Sequence, residues 1–151
     1  LDHYFGLPPT DWISAYAASA AKARREANEK EAKALAARIP NTRPSLPLAS
    51  YAKNYTDPWY GKASIELKDN SLSLRFLGTP SMHGPLEHFH LETFLVRWQD
   101  PTIPDAYVHF SHRIDGSVSG FRMLAISDLA DFSFDYHDLH FEAEKPQATS
   151  R

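Results

Sequence analysis

The sequence predicts a mainly β protein, in which one long N-terminal α-helix precedes an antiparallel sheet that closes on itself. Two patterns predict this class. Residues 11–38 are rich in Ala, Glu, Lys and Arg and contain neither Gly nor Pro, whereas apolar and polar residues alternate through much of the chain after Ala49. The first pattern is typical of a helix, and the second is typical of strands that bury one face.

The composition restricts the classes of function. The chain has 151 residues, of which 42% are apolar and 13% aromatic, which indicates one globular domain. The net charge is -3 and Lys and Arg are not clustered, so we expect no nucleic-acid partner. The absence of Cys excludes disulfides, thiolate catalysis and Cys-ligated zinc. No apolar run is long enough to span a bilayer, and the first residues do not resemble a signal peptide. Because the chain starts at Leu1, we expect it to be an excised or processed part of a longer polypeptide.

The helix is predicted over residues 11–39, after a linker at 1–10 with Thr10 as the N-cap. A Pro-rich linker at 40–48 ends it. Between its ends, the apolar residues of the helix are nearly all Ala, which bury little area. We therefore expect the middle of the helix to be solvated or packed against a partner. The large side chains near its start are candidates for partner docking: Trp12, Ile13 and Tyr16.

The barrel domain is predicted over residues 49–144, followed by a disordered tail at 145–151. The segments with a period of two are 63–68, 71–76, 93–98, 106–111, 118–125 and 132–136. Asp69-Asn70 and Asp115-Gly116 supply tight hairpin turns between neighbouring segments. The apolar phase shifts between Tyr136 and Leu139, which predicts a bulge near His137.

No motif in the chain provides a catalytic set. Ser19 and Lys22 have the S-x-x-K spacing of penicillin-binding proteins, but they lie well inside the Ala-rich helix, and neither S-D-N nor K-T-G follows. The segment 116–120 has the glycine spacing of a nucleophile elbow, but Val118 occupies the position of the nucleophile. We therefore predict no catalytic residue.

The histidines suggest a metal site more strongly than any other feature does. His88 and His90 would project from one face of an extended segment, with His83 and Glu92 near. The spacing differs from that of cupin metal sites, because Gly84 is too close and Glu92 follows His90 by only two residues. We expect no bound metal and no cofactor, and we expect His88 and His90 to form hydrogen bonds at the mouth or lining of the barrel. These two histidines and Glu92 are candidate binding or rim residues.

Trp59 and Tyr60 form a pair of large aromatic residues beside the predicted turn residues Asp57 and Pro58. They could form a binding lip, since Trp and Tyr are common at interface hot spots. The alternative is that their rings cap one end of the barrel.

Several segments resemble one known domain. Residues 46–61 and 86–94 are similar to two parts of a domain of unknown function, and residues 121–123 and 131–134 fit its later strands. That domain follows the catalytic domain of β-lactamase-related serine hydrolases, the group of class C β-lactamases and D-aminopeptidases. Residues 1–12 resemble the linker that leaves such a hydrolase.

The resemblance implies a lipocalin-like barrel of about eight strands, acting as a non-catalytic accessory domain of a bacterial serine hydrolase. The partner would be the hydrolase domain upstream in the same polypeptide, and a homo-oligomer is a further expectation. The barrel would modulate active-site access, substrate choice or assembly. If the parent hydrolase belongs to the cell envelope, we expect a periplasmic or secreted protein. Leu91-Glu92 replaces the Tyr-Asp expected in the family.

Two alternatives remain at this stage. A small closed barrel can hold one apolar ligand, so the domain could act as a stand-alone binding protein if its interior is not filled by side chains. A metal-dependent enzyme using His88 and His90 is the second alternative.

Overall fold

The computed structural model describes residues 12–126, 136 and 139–145, which form one helix and eight strands. The long helix is α1 (Trp12–Ala36), and a short 3-10 helix covers Leu48–Ser50. The strands are β1 (Asn54–Asp57), β2 (Gly61–Lys68), β3 (Ser71–Phe76), β4 (His83–His90), β5 (Thr93–Val96), β6 (Ala106–His112), β7 (Val118–Ala125) and β8 (His140–Ala143). In the described part of the chain, no helix is both long and apolar enough to cross a membrane.

The strands form a closed antiparallel barrel in which each strand pairs with the next along the chain. β8 pairs with β1 and closes the sheet, with Tyr55 opposite Ala143. This confirms the predicted fold class. The β1–β2, β3–β4 and β5–β6 connections lie at one end of the barrel, which we call the Trp59 end. The β2–β3, β4–β5 and β6–β7 turns lie at the other, which we call the Glu92 end.

Both predicted hairpin turns are present. Asp69 and Asn70 have φ values of 49° and 60°, as both central residues of a type I′ turn must, and they join β2 to β3. In the β6–β7 turn, the Arg113 amide donates to the Ser117 carbonyl at 2.8 Å, and Gly116 has φ 81°. Asn, Asp and Gly tolerate positive φ, so these turns set the register of the alternating segments.

Side chains of the described residues fill the barrel. The largest fully buried side chains are Tyr51, Tyr55, Phe76, Phe94, Phe110, Phe121, Tyr136 and Phe141. Phe141 lies between two other rings, with centroid distances of 4.7 Å to Phe121 and 5.2 Å to Phe76. The inward positions are thus occupied by aromatic rings, which argues against the alternative of an apolar ligand inside the barrel.

Two glycines allow neighbouring strands to approach closely. A Cβ at Gly84 would overlap the backbone carbonyl of Arg97, and a Cβ at Gly120 would overlap that of Phe141. Neither glycine has a positive φ. Glycine is therefore required at both positions because there is no space for a side chain, and not because of the backbone conformation.

The C-terminal part of α1 packs on the outer face of the barrel. Leu35 contacts a small apolar cluster formed by Phe89, Leu95 and Ile126. Just after the helix, the Arg38 guanidinium donates to the backbone carbonyls of Phe89 and His88. Every helix residue from 16 to 29 whose side chain is described is exposed, in agreement with the expectation of a solvated middle.

The helix ends at Ala36, whereas the sequence predicted residue 39. Pro40 disfavours helical backbone at Ile39, and the Ala37 and Arg38 amides close the last turn on carbonyls of α1. Several predictions lie outside the described residues: the linker at 1–10, the Thr10 cap, the strand containing Phe132 and Phe134, the bulge near His137 and the tail from 146 onward.

Candidate functional site

A β-bulge in β4 places His88 and His90 on opposite faces of the sheet. His88 pairs with Phe94 and His90 pairs with Thr93, so Phe89 is an extra residue in β4. The His88 ring contacts the ring of the buried Phe94 at a centroid distance of 5.4 Å. His90 instead borders an outer groove with Thr93. The expectation that both imidazoles share one face is therefore wrong, because it assumed uninterrupted alternation.

Both histidines take part in local hydrogen bonds. His88 Nε2 lies 2.9 Å from the Leu91 carbonyl, and His90 Nδ1 accepts from the Ile39 amide at 3.4 Å. His83 is bonded at the opposite end of β4, with Nε2 2.8 Å from Gln99 Oε1. Within residues 12–126, 136 and 139–145, no three His, Asp or Glu side chains converge in a way that could hold a metal ion.

Glu92 is the centre of a polar cluster at the Glu92 end of the barrel. Its Oε1 accepts the Ser45 amide at 2.7 Å, and its Oε2 accepts the Tyr51 hydroxyl at 2.6 Å. His112 Nε2 lies 3.4 Å from Oε2 of the same carboxylate. The cluster ties the segment before β1 to the β4–β5 turn and to the end of β6.

The environment of this cluster fixes the charge states of Glu92 and Tyr51 at neutral pH. Burial favours a raised pKa for Glu92, but the Tyr51 hydroxyl, the Ser45 amide and hydroxyl, and His112 together lower it. Burial and the bond to Glu92 raise the pKa of Tyr51 to about 12. Glu92 is therefore an ionised acceptor and Tyr51 a neutral donor, which is the arrangement of a structural link.

Glu92 was a candidate residue from the sequence, whereas Tyr51 and His112 were not. His109 and His112 lie on opposite faces of β6: His109 bonds Thr93 on the outer face, while the ring of His112 packs edge-on against that of Tyr51. No local spacing connects these partners, because they lie on different strands and turns.

Asp57 shapes the turn at the opposite end of the barrel. Its side chain is buried, with 2% of the residue's surface exposed. Oδ1 accepts the amides of Trp59 and Tyr60 at 2.8 and 2.9 Å, and Oδ2 accepts the His140 amide at 2.9 Å. One carboxylate thus fixes the β1–β2 turn and fastens it to the start of β8.

The two aromatic residues of this turn point in different directions. The Tyr60 ring packs edge-on against Phe76 at a centroid distance of 6.0 Å, so it caps the core. Trp59 is 92% exposed. The capping alternative therefore describes Tyr60, whereas a binding role for Trp59 stays a prediction. Trp59 and Glu92 lie at opposite ends of the barrel, so the predicted binding or rim residues do not form one site.

Of the predicted docking residues, Tyr16 is 79% exposed on α1. The side chains of Trp12 and Ile13 lie outside the described part of the structure. Tyr16 thus stands on a solvent-exposed segment of the helix.

The filled interior, the structural role of the polar clusters and the closed sheet define a small antiparallel β-barrel domain. The chain belongs to the DUF3471 family, a domain of unknown function whose sequence pattern matches residues 37–143. This confirms the resemblance to a domain of unknown function seen in the sequence. Among solved structures, the chain is similar to the C-terminal domain of penicillin binding protein Rv0907, with 20% identity and a TM-score of 0.47. That match covers 58% of this chain and 81% of the other. No curated protein matches the chain.

Proposed function

We propose that this chain is a non-catalytic accessory domain that docks on a β-lactamase-related serine hydrolase of the same polypeptide. In that role it would modulate active-site access, substrate choice or assembly. The partner class comes from the sequence resemblance of residues 46–61 and 86–94. The docking role comes from the geometry of one turn.

The observation that carries the proposal is the presentation of Trp59. A flexible loop could fold its indole back onto the protein, but the buried Asp57 carboxylate holds the amides of Trp59 and Tyr60 in place. Tyr60 anchors the same turn in the core. The turn therefore holds a 92% exposed indole outward on a fixed support, and Trp is the residue most enriched at interface hot spots.

The interior of the barrel supports a role without chemistry of its own. Inward positions are filled with aromatic rings, and the Glu92 carboxylate accepts hydrogen bonds from the Ser45 amide and the Tyr51 hydroxyl.

The helix fits the role of a connector. α1 has 25 residues, which corresponds to a length of about 37 Å. Its last turns rest on the barrel, whereas Tyr16 stands in the exposed part. In the proposed complex, Tyr16 contacts the hydrolase together with Trp12 and Ile13.

The test uses the complete gene product that contains this chain. Deletion of residues 46–145 is expected to change the ratio of the kcat/KM values for small and bulky substrates. Alternatively, it is expected to change the oligomeric state, which light scattering measures. Trp59→Ala should reproduce part of the change. Ile114→Ala is the matched control, because Ile114 is also fully exposed but lies at the Glu92 end. The proposal fails if the polypeptide contains no hydrolase domain, or if specificity, stability and assembly survive the deletion.

A further inference from the structure

A groove runs between the end of α1 and the outer face of the barrel. Its volume is about 430 Å³, within the range of small-molecule sites. Ala34 and Ala37 line one side of it, and the residues that line the barrel side include Phe89, Tyr107, Arg122 and Leu124. It lies outside the barrel, so the filled interior does not bear on it.

The apolar part of the groove exists because the helix contributes small residues. Ala34 and Ala37 reach the groove only with methyl groups, which leaves space above the sheet. The rings of Phe89 and Tyr107 lie 5.1 Å apart and form an aromatic wall, and Leu124 is 46% exposed beside them. A flat apolar group of a ligand could bury its surface here against the side chains of Phe89, Tyr107 and Leu124.

The polar part of the groove carries donors. His109 and Arg122 are direct neighbours across β6 and β7. The Ile39 amide donates to His90 Nδ1, so the neutral His90 ring carries its proton on Nε2. Nδ1 of His109 bonds Thr93 Oγ1 at 3.0 Å. Among the described residues, neither Nε2 of these rings nor the Arg122 guanidinium has a hydrogen-bond partner.

The charges along the groove are asymmetric. None of its described lining residues is acidic. Two carboxylates lie near this face. Burial, together with Glu31, raises the pKa of Tyr107, and Glu142 is exposed on β8 two residues after His140, which pairs with Arg122. Along β6, Tyr107 precedes His109 by two residues toward the Trp59 end of the barrel. Glu31 therefore acts on one end of the groove, and His109 and Arg122 act on the other.

We infer that this groove binds a small organic anion with a flat apolar body. The apolar body lies against Phe89, Tyr107 and Leu124, and the anionic group faces Arg122, His109 and His90. Arg122 supplies a permanent charge and a planar set of donors suited to a carboxylate or sulfonate. The inference is independent of the docking proposal, because the groove involves neither Trp59 nor Tyr16.

The test uses the 151-residue chain and two fluorescent probes that share one body. Anilinonaphthalene sulfonate carries the anion, and phenylnaphthylamine is its uncharged counterpart. We expect the sulfonate to bind more tightly than the uncharged probe. Arg122→Gln should weaken sulfonate binding about tenfold while leaving the uncharged probe unchanged. Leu124→Ala should weaken both probes, because it removes apolar surface and no charge.

Arg75→Gln is the matched control, since Arg75 is an exposed arginine on β3 of the same barrel, outside the groove. Arg122 is exposed as well, so its substitution should leave the unfolding midpoint unchanged, and thermal unfolding checks this. The inference is overturned if Arg122→Gln and Arg75→Gln weaken the sulfonate equally, if both probes bind alike, or if neither binds.

Discussion

The Tyr51 hydroxyl donates a 2.6 Å hydrogen bond to Oε2 of Glu92, a residue 41 positions later in the chain. The bond connects the segment that enters β1 with the β4–β5 turn. The acceptor is an ionised carboxylate with a lowered pKa, so this is a charge-assisted bond.

Substitutions at these two positions should be coupled. We expect Glu92→Gln to lower the free energy of unfolding by about 1–2 kcal/mol and Tyr51→Phe by about 1 kcal/mol. The double variant should lose less than the sum, because Glu92→Gln weakens the same bond that Tyr51→Phe removes. Urea unfolding at neutral pH measures all three. Glu66→Gln on the exposed face of β2 is the control, and additive losses at Tyr51 and Glu92 would contradict the link.

The buried Asp57 carboxylate should make the barrel sensitive to acid. Burial favours a raised pKa for Asp57, but the amides of Tyr60, His140 and Trp59 outweigh it, and the folded pKa lies below the ordinary value. Between the two pKa values the unfolded state binds more protons, so this stabilisation is present above about pH 4 and declines as the pH falls through the folded pKa.

Asp57→Asn isolates this effect. At pH 7 the variant should be less stable than the parent by about 1–3 kcal/mol, because the charged acceptor is lost. The difference should shrink as the pH falls below about 4, where the parent loses the same charge. Unfolding midpoints from pH 7 to pH 3 measure it. A constant difference across that range would show that the Asp57 charge does not stabilise the turn.

Gly84 and Gly120 should not tolerate even one methyl group. An added Cβ would overlap the backbone of Arg97 or Phe141, and backbone within a closed sheet cannot move aside without breaking strand pairing. We expect Gly84→Ala and Gly120→Ala each to destabilise the fold by about 2–4 kcal/mol. Gly78→Ala is the control, since the nearest atom to its added Cβ is 3.9 Å away. Thermal unfolding gives the comparison, and a neutral effect at both strand glycines would show that the strands can separate there.

The sequence predicted the parts of the fold that depend on local pattern. Alternation of Leu72, Leu74 and Phe76 with polar residues located β3, and Asp69-Asn70 located the turn before it. Closure of the barrel followed from the number of strands, because an antiparallel meander of this length buries its edges by pairing the first strand with the last.

The site was less predictable, because its contacts join distant residues. The bulge at Phe89 has no signature in local alternation, yet it decides that His88 and His90 face different sides. Tyr51 and His112 meet Glu92 only through the barrel topology. The different directions of Trp59 and Tyr60 depend on the hydrogen bonds of Asp57, which the order of residues in the turn does not reveal.

That difference gives the sharpest test of which aromatic residue has a structural role. Trp59→Ala should change the free energy of unfolding by no more than about 0.5 kcal/mol, because the indole is 92% exposed. Tyr60→Ala should lower the free energy of unfolding by about 1–3 kcal/mol, because it removes a half-buried ring that packs against Phe76.

The exposure of Trp59 can be followed by acrylamide quenching of tryptophan fluorescence. The chain also contains Trp12 and the buried Trp98, so the quenchable emission lost in Trp59→Ala, taken as a difference from the parent, reports the Trp59 indole. If that emission in the complete polypeptide is protected from acrylamide, Trp59 is covered by the partner, as docking requires; full quenching there would exclude Trp59 from the interface.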